Sequence, residues 1–325
     1  MMRLTCSGAR LMTAAILAAS CATAPAQTYP TKPIRMVVGF STGGGPDIVG
    51  RLIAPKMAEI LGQQVVVDNR PGAGGSIAEE IVVKSAPDGY TILACSNSLS
   101  INPSLYKNLP YVPLRDLAPV SLTGISAQML VVARAIQVKS VEEVVALAKA
   151  KPGQLTYGSS GNGSGSHLSG ELFKVMTGVQ ITHVPYKGGG QGVVALLSGD
   201  VSMMFAAAAP ALPFVNSGRM KALAVTTSKR MAAAPDVPTM DEAGVKGYES
   251  FPWYGVLVPA GTPKPVIDRL NAAVVAAVQA PELKDRYAAL GVEPANGTPA
   301  EFRRFTEVEL KKWAQVVKQG ALRAD

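Results

Sequence analysis

Four times along this chain a glycine-rich turn stands between a short apolar, β-forming run and a helix-forming stretch, and this repeated unit constrains the fold more than any other feature. The first unit is Ile34-Arg35-Met36-Val37-Val38-Gly39-Phe40, a turn over residues 41–45, and a helix opened by Pro46 at the favoured first position. The second joins Gln64-Val65-Val66-Val67-Asp68 through residues 70–75 to a helix capped by Ser76. A third strand follows over residues 90–95. Strands alternating with helices at this spacing predict a mostly parallel sheet covered on both faces.

Past an extended, proline-marked segment at 109–119 the pattern restarts. A strand over 129–132, a helix with the capping box Ser140-x-x-Glu143, a strand over 155–157, a loop over 158–166 and a helix to about Met176 form one set. A strand over 181–184, a loop over 186–190, a helix to Leu197 and a strand over 201–205 complete a second α/β lobe. Residues 117–124 and 220–227 are expected to carry the chain between lobes. The strand 255–259 and the helix from Pro263 then rejoin the first, and the last helix opens on the capping box Thr298-Pro299-x-Glu301. The expected fold class is α/β, with two Rossmann-like lobes around a hinged cleft. The division is 27–122 for the first part of lobe 1, 123–224 for lobe 2, and 225–325 for the return to lobe 1 and the C-terminal helices. Such junctions are preferred ligand sites.

Residues 1–26 read as a leader for export: Arg3 and Arg10 precede the apolar run 11–19, and Ala24-Pro25-Ala26 supplies a small-residue cleavage site. A lipoprotein signal ending at Cys21 is the competing reading, although Leu17 stands one position too far from that cysteine. Cleavage predicts a periplasmic protein with one cysteine, Cys95, hence no internal disulfide. It also lowers the net charge from +8 to about +6. The basic residues are dispersed and aromatics make up only 6%, which excludes a nucleic-acid surface and leaves solvation or attraction of an anionic ligand.

The four turns, at 41–45, 72–75, 159–166 and 187–190, carry the functional argument. In a parallel α/β sheet they lie at the carboxyl ends of strands, each exposing N–H groups at a helix start to an anion that glycine lets approach closely. Asp47 either complements its helix dipole or contacts ligand, and His167 and His183 read as packed or hydrogen-bonded residues. Trp253 and Tyr254 either wall a pocket or fill the junction between lobes. Gly39-Phe40-Ser41-Thr42-Gly43 fits the G-x-S-x-G nucleophile elbow in letters, making a secreted serine hydrolase using Ser41 the enzyme alternative. The elbow, however, requires earlier strands and an oxyanion loop that the first strand lacks. Two histidines and no clustered Cys/His set leave little material for a metal or cofactor, and none is expected.

These residues also carry a resemblance. Tyr29-Pro30-Thr31-Lys32-Pro33-Ile34, Phe40-Ser41-Thr42-Gly43-Gly44-Gly45-Pro46-Asp47, Asp68-Asn69-Arg70-Pro71-Gly72-Ala73-Gly74-Gly75, Pro87-Asp88-Gly89-Tyr90, Ser159-Ser160-Gly161-Asn162-Gly163, His183-Val184-Pro185-Tyr186-Lys187-Gly188 and Leu223-Ala224-Val225-Thr226 occur in this order. Together they resemble the Bug family of periplasmic receptors for tripartite tricarboxylate transporters. The resemblance implies a type II periplasmic binding protein, or Venus flytrap, without cofactor or reaction, acting as a monomer that binds a mono-, di- or tricarboxylate and meets membrane permease subunits. A receptor reporting to a sensor protein is a further alternative. It also implies a site in which Phe40, Ser41, Thr42, Gly43, Gly44 and Asp47 face Ser159, Ser160, Gly161, Asn162 and Ser164, with Asn97, Ser98, Tyr186, Lys187 and Gly188 nearby. Ala206-Ala207-Ala208-Ala209 stands where many relatives carry polar residues. Either the distal pocket is less polar, suiting an apolar or aromatic body, or these alanines start a packed helix.

Overall fold

The computed structural model describes residues 29–186, 188–231, 233–320 and 322. The leader, its Ala24 and Ala26, Cys21 and Lys187 lie outside the described residues. The first lobe begins with β1 (Ile34–Val38), α1 (Gly45–Leu61), β2 (Val65–Asn69), α2 (Ser76–Val83), β3 (Thr91–Ser96), α3 (Ser98–Leu105), the single turn α4 (Pro113–Asp116) and β4 (Leu117–Ser126). The second carries β5 (Gln128–Ala133), α5 (Val141–Ala150), β6 (Thr156–Ser159), α6 (Gly165–Thr177), β7 (Thr182–Pro185), α7 (Gly189–Ser198), β8 (Met203–Ala207), α8 (Ala208–Asn216) and β9 (Met220–Val225). The chain returns through β10 (Trp253–Pro259), α9 (Lys264–Val278), α10 (Pro281–Ala289), β11 (Val292–Glu293) and α11 (Pro299–Gln319).

The strands form two sheets, ordered β11-β4-β10-β3-β1-β2 and β7-β6-β8-β5-β9. In each, the strand by which the chain enters from the other lobe, β10 or β5, is antiparallel to both neighbours. Short β11 is also antiparallel to β4. The remaining strands share one direction, so their carboxyl ends converge on the junction and carry every glycine-rich turn there. Both faces of each sheet are covered, which explains the unbroken apolar runs. On β1, Ile34, Met36 and Val38 enter one core cluster and Val37 another; on β5, Leu130 and Val132 lie opposite Met129, Val131 and Ala133.

Residues 117–124, expected as a connection, are instead a strand of the first sheet, and the crossover falls at Ala127. Pro119 pairs with Leu257 of β10, next to a register shift that leaves Val120 as the extra residue of β4. The two crossing segments are tied by main-chain bonds from Ser126 N to Pro252 O (2.8 Å), Thr226 N to Gln128 O (2.9 Å) and Ala208 N to Ala127 O (3.0 Å). Two helices span the junction. On α3, Leu99 joins a lobe 1 cluster while Ile101 and Leu105 join one of lobe 2. On α11, opened by the Thr298–Glu301 capping box, Phe302 packs in lobe 1 and Trp313, Val316 and Val317 in lobe 2. No described helix is long and apolar enough to cross a membrane.

Candidate functional site

The first cradle is the passage from β1 into α1. Gly44 N bonds Ser41 O at 2.9 Å, Gly44 caps the helix with no side chain of its own, and the first-turn N–H groups have no intrahelical acceptor. Asp47 does not face outward: it is buried, its Oδ2 accepts from Gly43 N (2.9 Å), and its Oδ1 accepts from Asn69 Nδ2 (2.7 Å) and Arg51 Nε (2.9 Å). Asn69 also donates to Phe40 O at 2.9 Å. Burial works against the Asp47 charge, but the Gly43 amide, Asn69 and Arg51 together hold its pKa below the usual carboxylate value. Asp47 therefore braces the loop from beneath while Ser41, Thr42 and Gly43 stay exposed.

The second loop abuts the first backbone to backbone. Gly72, Ala73, Gly74 and Gly75 all have positive φ, a path that glycine follows at little cost. A Cβ built on Gly75 would lie 3.2 Å from the Phe40 ring and 3.3 Å from Ser98 Oγ, which puts these three in contact. Ser98 Oγ in turn bonds Ser96 Oγ at 2.9 Å, and Asn102 Nδ2 donates to Gly74 O at 3.1 Å.

Below this loop Glu79 is buried, hydrogen-bonded by the Tyr111 hydroxyl with Asn102 beside it, and burial pushes its carboxyl up to about 7. The unfolded chain releases that proton near pH 4.3, so this group's contribution to stability is fully present below that value and is lost as pH rises toward 7. Glu79→Gln should gain about 1–3 kcal/mol over the wild type between pH 5 and pH 8. Denaturant titrations at the two pH values measure this; equal differences at both would mean that Glu79 is ionised in the fold.

The facing cradle is the passage from β6 into α6. Ser159 is buried, Ser160 N bonds Ser166 Oγ (2.9 Å), and Ser164 caps α6 by accepting from His167 N (3.3 Å) while donating to Gly161 O (2.6 Å). Asn162 is exposed. Tyr186 N bonds Ser159 O at 3.1 Å, the Tyr186 ring packs by Gly158, and its carbonyl lies by Gly161. Gly188 caps α7 in extended backbone. The second cradle meets the two ends of α3 and the start of β5: a Cβ on Gly165 would be 3.6 Å from both Asn97 Nδ2 and Gln128 Nε2, and one on Gly163 would touch Leu105. The structure thus groups Phe40 and Ser98 with Gly75, sets Asn97 against the second cradle, and gathers Ser159, Ser160, Gly161, Ser164 and Tyr186 around one loop.

Sequence reasoning missed three supports, Asn69, Gln128 and the histidine pair as a unit, and left the role of Tyr254 open. Tyr254 reaches Gly45 at the start of α1, its phenol pushed up to about 12 by burial despite the Ser126 hydroxyl beside it. Trp253 fills the junction instead, fully buried and donating to Glu309 at 3.1 Å. Both histidines are committed beneath the second cradle, His167 to Gly163 and His183 to Ser159, so neither stands ready as a base for Ser41. A separate surface concavity of about 570 Å³ lies among Val141, Lys149, Met176 and Lys246 and shares no residue with these loops. Among the described residues no group of three or more His, Cys, Asp or Glu could hold a metal ion.

The chain matches the Tripartite tricarboxylate transporter family receptor (TctC) over residues 49–322. It is 40% identical over 296 residues to Protein BugT of Bordetella pertussis, covering 90% of this chain and 91% of that one. Among solved structures it resembles R. palustris Rpa4515 with adipate at 37% identity and TM-score 0.80, covering 91% of this chain and 99% of that one. It also resembles MatC from Rhodopseudomonas palustris with bound malate, at 32% identity and TM-score 0.76, covering 89% and 100%. The periplasmic binding protein BugD is 34% identical with TM-score 0.77 over 91% and 99% of the two chains. The two-lobed α/β architecture is that of these periplasmic solute-binding proteins, and the chain belongs to the TctC, or Bug, receptor family.

Proposed function

We propose that the protein is a periplasmic receptor that captures a small organic carboxylate between its lobes and delivers it to the membrane subunits of a tripartite transporter. The observation that supports this reading is that each lobe carries a helix-start cradle at the carboxyl end of a strand, in the loops after β1 and β6. Their first-turn N–H groups and helix dipoles favour an anion without a buried arginine. Ligand bridging both lobes shifts the open–closed equilibrium by its greater affinity for the closed form, which the transporter would recognise.

The cleft end of β8 supports a ligand with an apolar body. There Ala207, exposed and paired with Gln128, offers only a methyl group between buried Ala206 and Ala208. Adipate-like chains should therefore bind more tightly than citrate. Calorimetry at pH 7.5 with adipate, malate, citrate and benzoate separates the possibilities. At one hundred times Kd the preferred acid should add about 2.7 kcal/mol to the unfolding free energy, visible as a raised melting temperature. No heat and no thermal shift with any of these acids, or with a wider carboxylate panel, would remove the reading.

A further inference from the structure

Beneath the second cradle lies a titratable cluster drawn from three elements: His167, Glu171 and Lys174 on α6, His183 on β7 and Tyr157 on β6, with Tyr248 behind Tyr157. Two of its members hold the cradle directly. Gly163 N bonds His167 Nδ1 at 3.0 Å, and Ser159 Oγ lies 2.6 Å from His183 Nε2. We propose that His167 is a positioning residue that makes the cradle's grip depend on protons, holding Gly163 in the ligand-binding arrangement only while its ring is neutral, with His183 stacked on it and bonded to Ser159. The proposal rests on the reading of this loop as part of a carboxylate site.

The chemistry of the Gly163 contact sets the protonation state. A backbone N–H only donates, so Nδ1 of His167 must present its lone pair, and the neutral ring carries its proton on Nε2, 4.0 Å from Glu171 Oε1. A proton added at Nδ1 would place two donors head to head and release Gly163, a turn residue at φ +73° whose placement sets Ser164, the cap of α6.

The neighbours oppose that proton. The two imidazoles stack with centroids 4.0 Å apart and planes 18° from parallel, and Tyr157 stacks on His183 at 4.9 Å, so two cations would face each other in a confined space. Glu171 is already engaged by Lys174 Nζ (2.8 Å) and the Tyr157 hydroxyl (2.6 Å), and so is not reserved for an imidazolium. Burial first, and then the adjacent ring, pushes His183 down to about 4; burial also lowers His167. The sign follows. The intact cradle binds fewer protons than a loosened one, whose histidines titrate near the ordinary value of about 6.5. The grip is therefore complete above about pH 6.5 and weakens as pH falls toward 4.

Two measurements test this, one without ligand. In amide NMR of the unliganded protein, the Gly163 resonance should follow the His167 ring titration between pH 7.5 and 4.5 and should stop doing so in His167→Asn, whose amide oxygen stands in for Nδ1. In calorimetry with adipate at pH 7.5, His167→Ala should lose roughly tenfold in affinity, the size of one lost buried hydrogen bond, and His167→Asn should recover most of it. From pH 7.5 to 5.0 the ratio of wild-type to His167→Asn affinity should fall about fivefold; taking the ratio cancels the titration of adipate itself. A Gly163 amide that ignores the ring titration, or a ratio that stays constant, overturns the proposal. If adipate fails to bind at pH 7.5, the carboxylate reading is what fails, and the amide titration still decides the role of His167.

Discussion

Trp313→Ala should lower the unfolding free energy by about 3–5 kcal/mol, the range for deleting a fully buried aromatic side chain. The indole has no solvent exposure and sits in the lobe 2 core with Phe173, Phe205 and Tyr248, while Phe302 of the same helix is buried in lobe 1. Helix α11 thus fastens both lobes, and this ring is its largest anchor in lobe 2, beside Val316 and Val317. The cavity is not the only loss. Glu309 is buried and accepts from Trp253 Nε1 at 3.1 Å and Trp313 Nε1 at 3.0 Å, with Lys312 as its ion pair. Removing one indole donor from a buried carboxylate accounts for about 1–2 kcal/mol of that loss.

The two contributions separate in Trp313→Phe, which retains most of the buried ring but not the N–H, and which should cost only about 1–2 kcal/mol. At roughly 2–4 °C per kcal/mol for a chain of this size, the alanine variant should melt about 6–20 °C lower. Chemical and thermal unfolding of both variants check this. Equal losses for Phe and Ala would move the energy from packing to the hydrogen bond, and a change under about 2 °C for Ala would mean that α11 is not anchored in lobe 2 by this ring.

The repeating units were legible because alternation of apolar runs and glycine turns is a local signal. β1, β2, β3, β6 and β8 stand where the runs are, and the Thr298 and Ser140 caps form as their spacing suggests. Where a local signal conflicts with its tertiary setting, the sequence misleads. Pro119 reads as a strand breaker, yet it pairs with Leu257 beside a register shift between β4 and β10, and the strand runs on to Ser126 before the crossover at Ala127. Helix α3, Ser-Leu-Ser-Ile-Asn-Pro-Ser-Leu, has weak helix formers and an internal proline; what holds it is the burial of Leu99, Ile101 and Leu105 between two lobes. The cradle supports were illegible for another reason, since pairing across the fold brings them in. Tyr254 reaches Gly45 because β10 sets it opposite Ser96, and His183 reaches Ser159 because β7 lies beside β6.

Gly39→Ala should reduce adipate affinity roughly a hundredfold, although residue 39 is not among the proposed ligand contacts, because a displacement of about 1 Å or less suffices to misalign a preorganised site. A methyl group there would lie 2.7 Å from Gly75 Cα and 2.9 Å from Gly75 O. Both neighbours are main chain, and neither loop is free to retreat. The Asn69 amide and Asp47 hold residues 40–43, while the Asn102 amide holds Gly74 and the Phe40 ring covers Gly75. The contact must open by about 0.7 Å to reach ordinary van der Waals separation, and it opens by pushing Phe40 and the start of α1 out of place. The accompanying stability loss is the usual cost of overpacking, about 1–3 kcal/mol.

Gly45→Ala supplies the contrast. Its added carbon meets Tyr254 at the hydroxyl end of a side chain, so Tyr254→Phe in the same molecule should recover part of the lost affinity. No single side-chain truncation relieves the clash at Gly39. Calorimetry with adipate on the wild type, Gly39→Ala, Gly45→Ala and the Gly45→Ala/Tyr254→Phe pair measures these differences directly. A Gly39→Ala protein that is folded and binds adipate within threefold of the wild type would mean that the two lobe 1 loops yield to each other and do not jointly set the geometry of the first cradle.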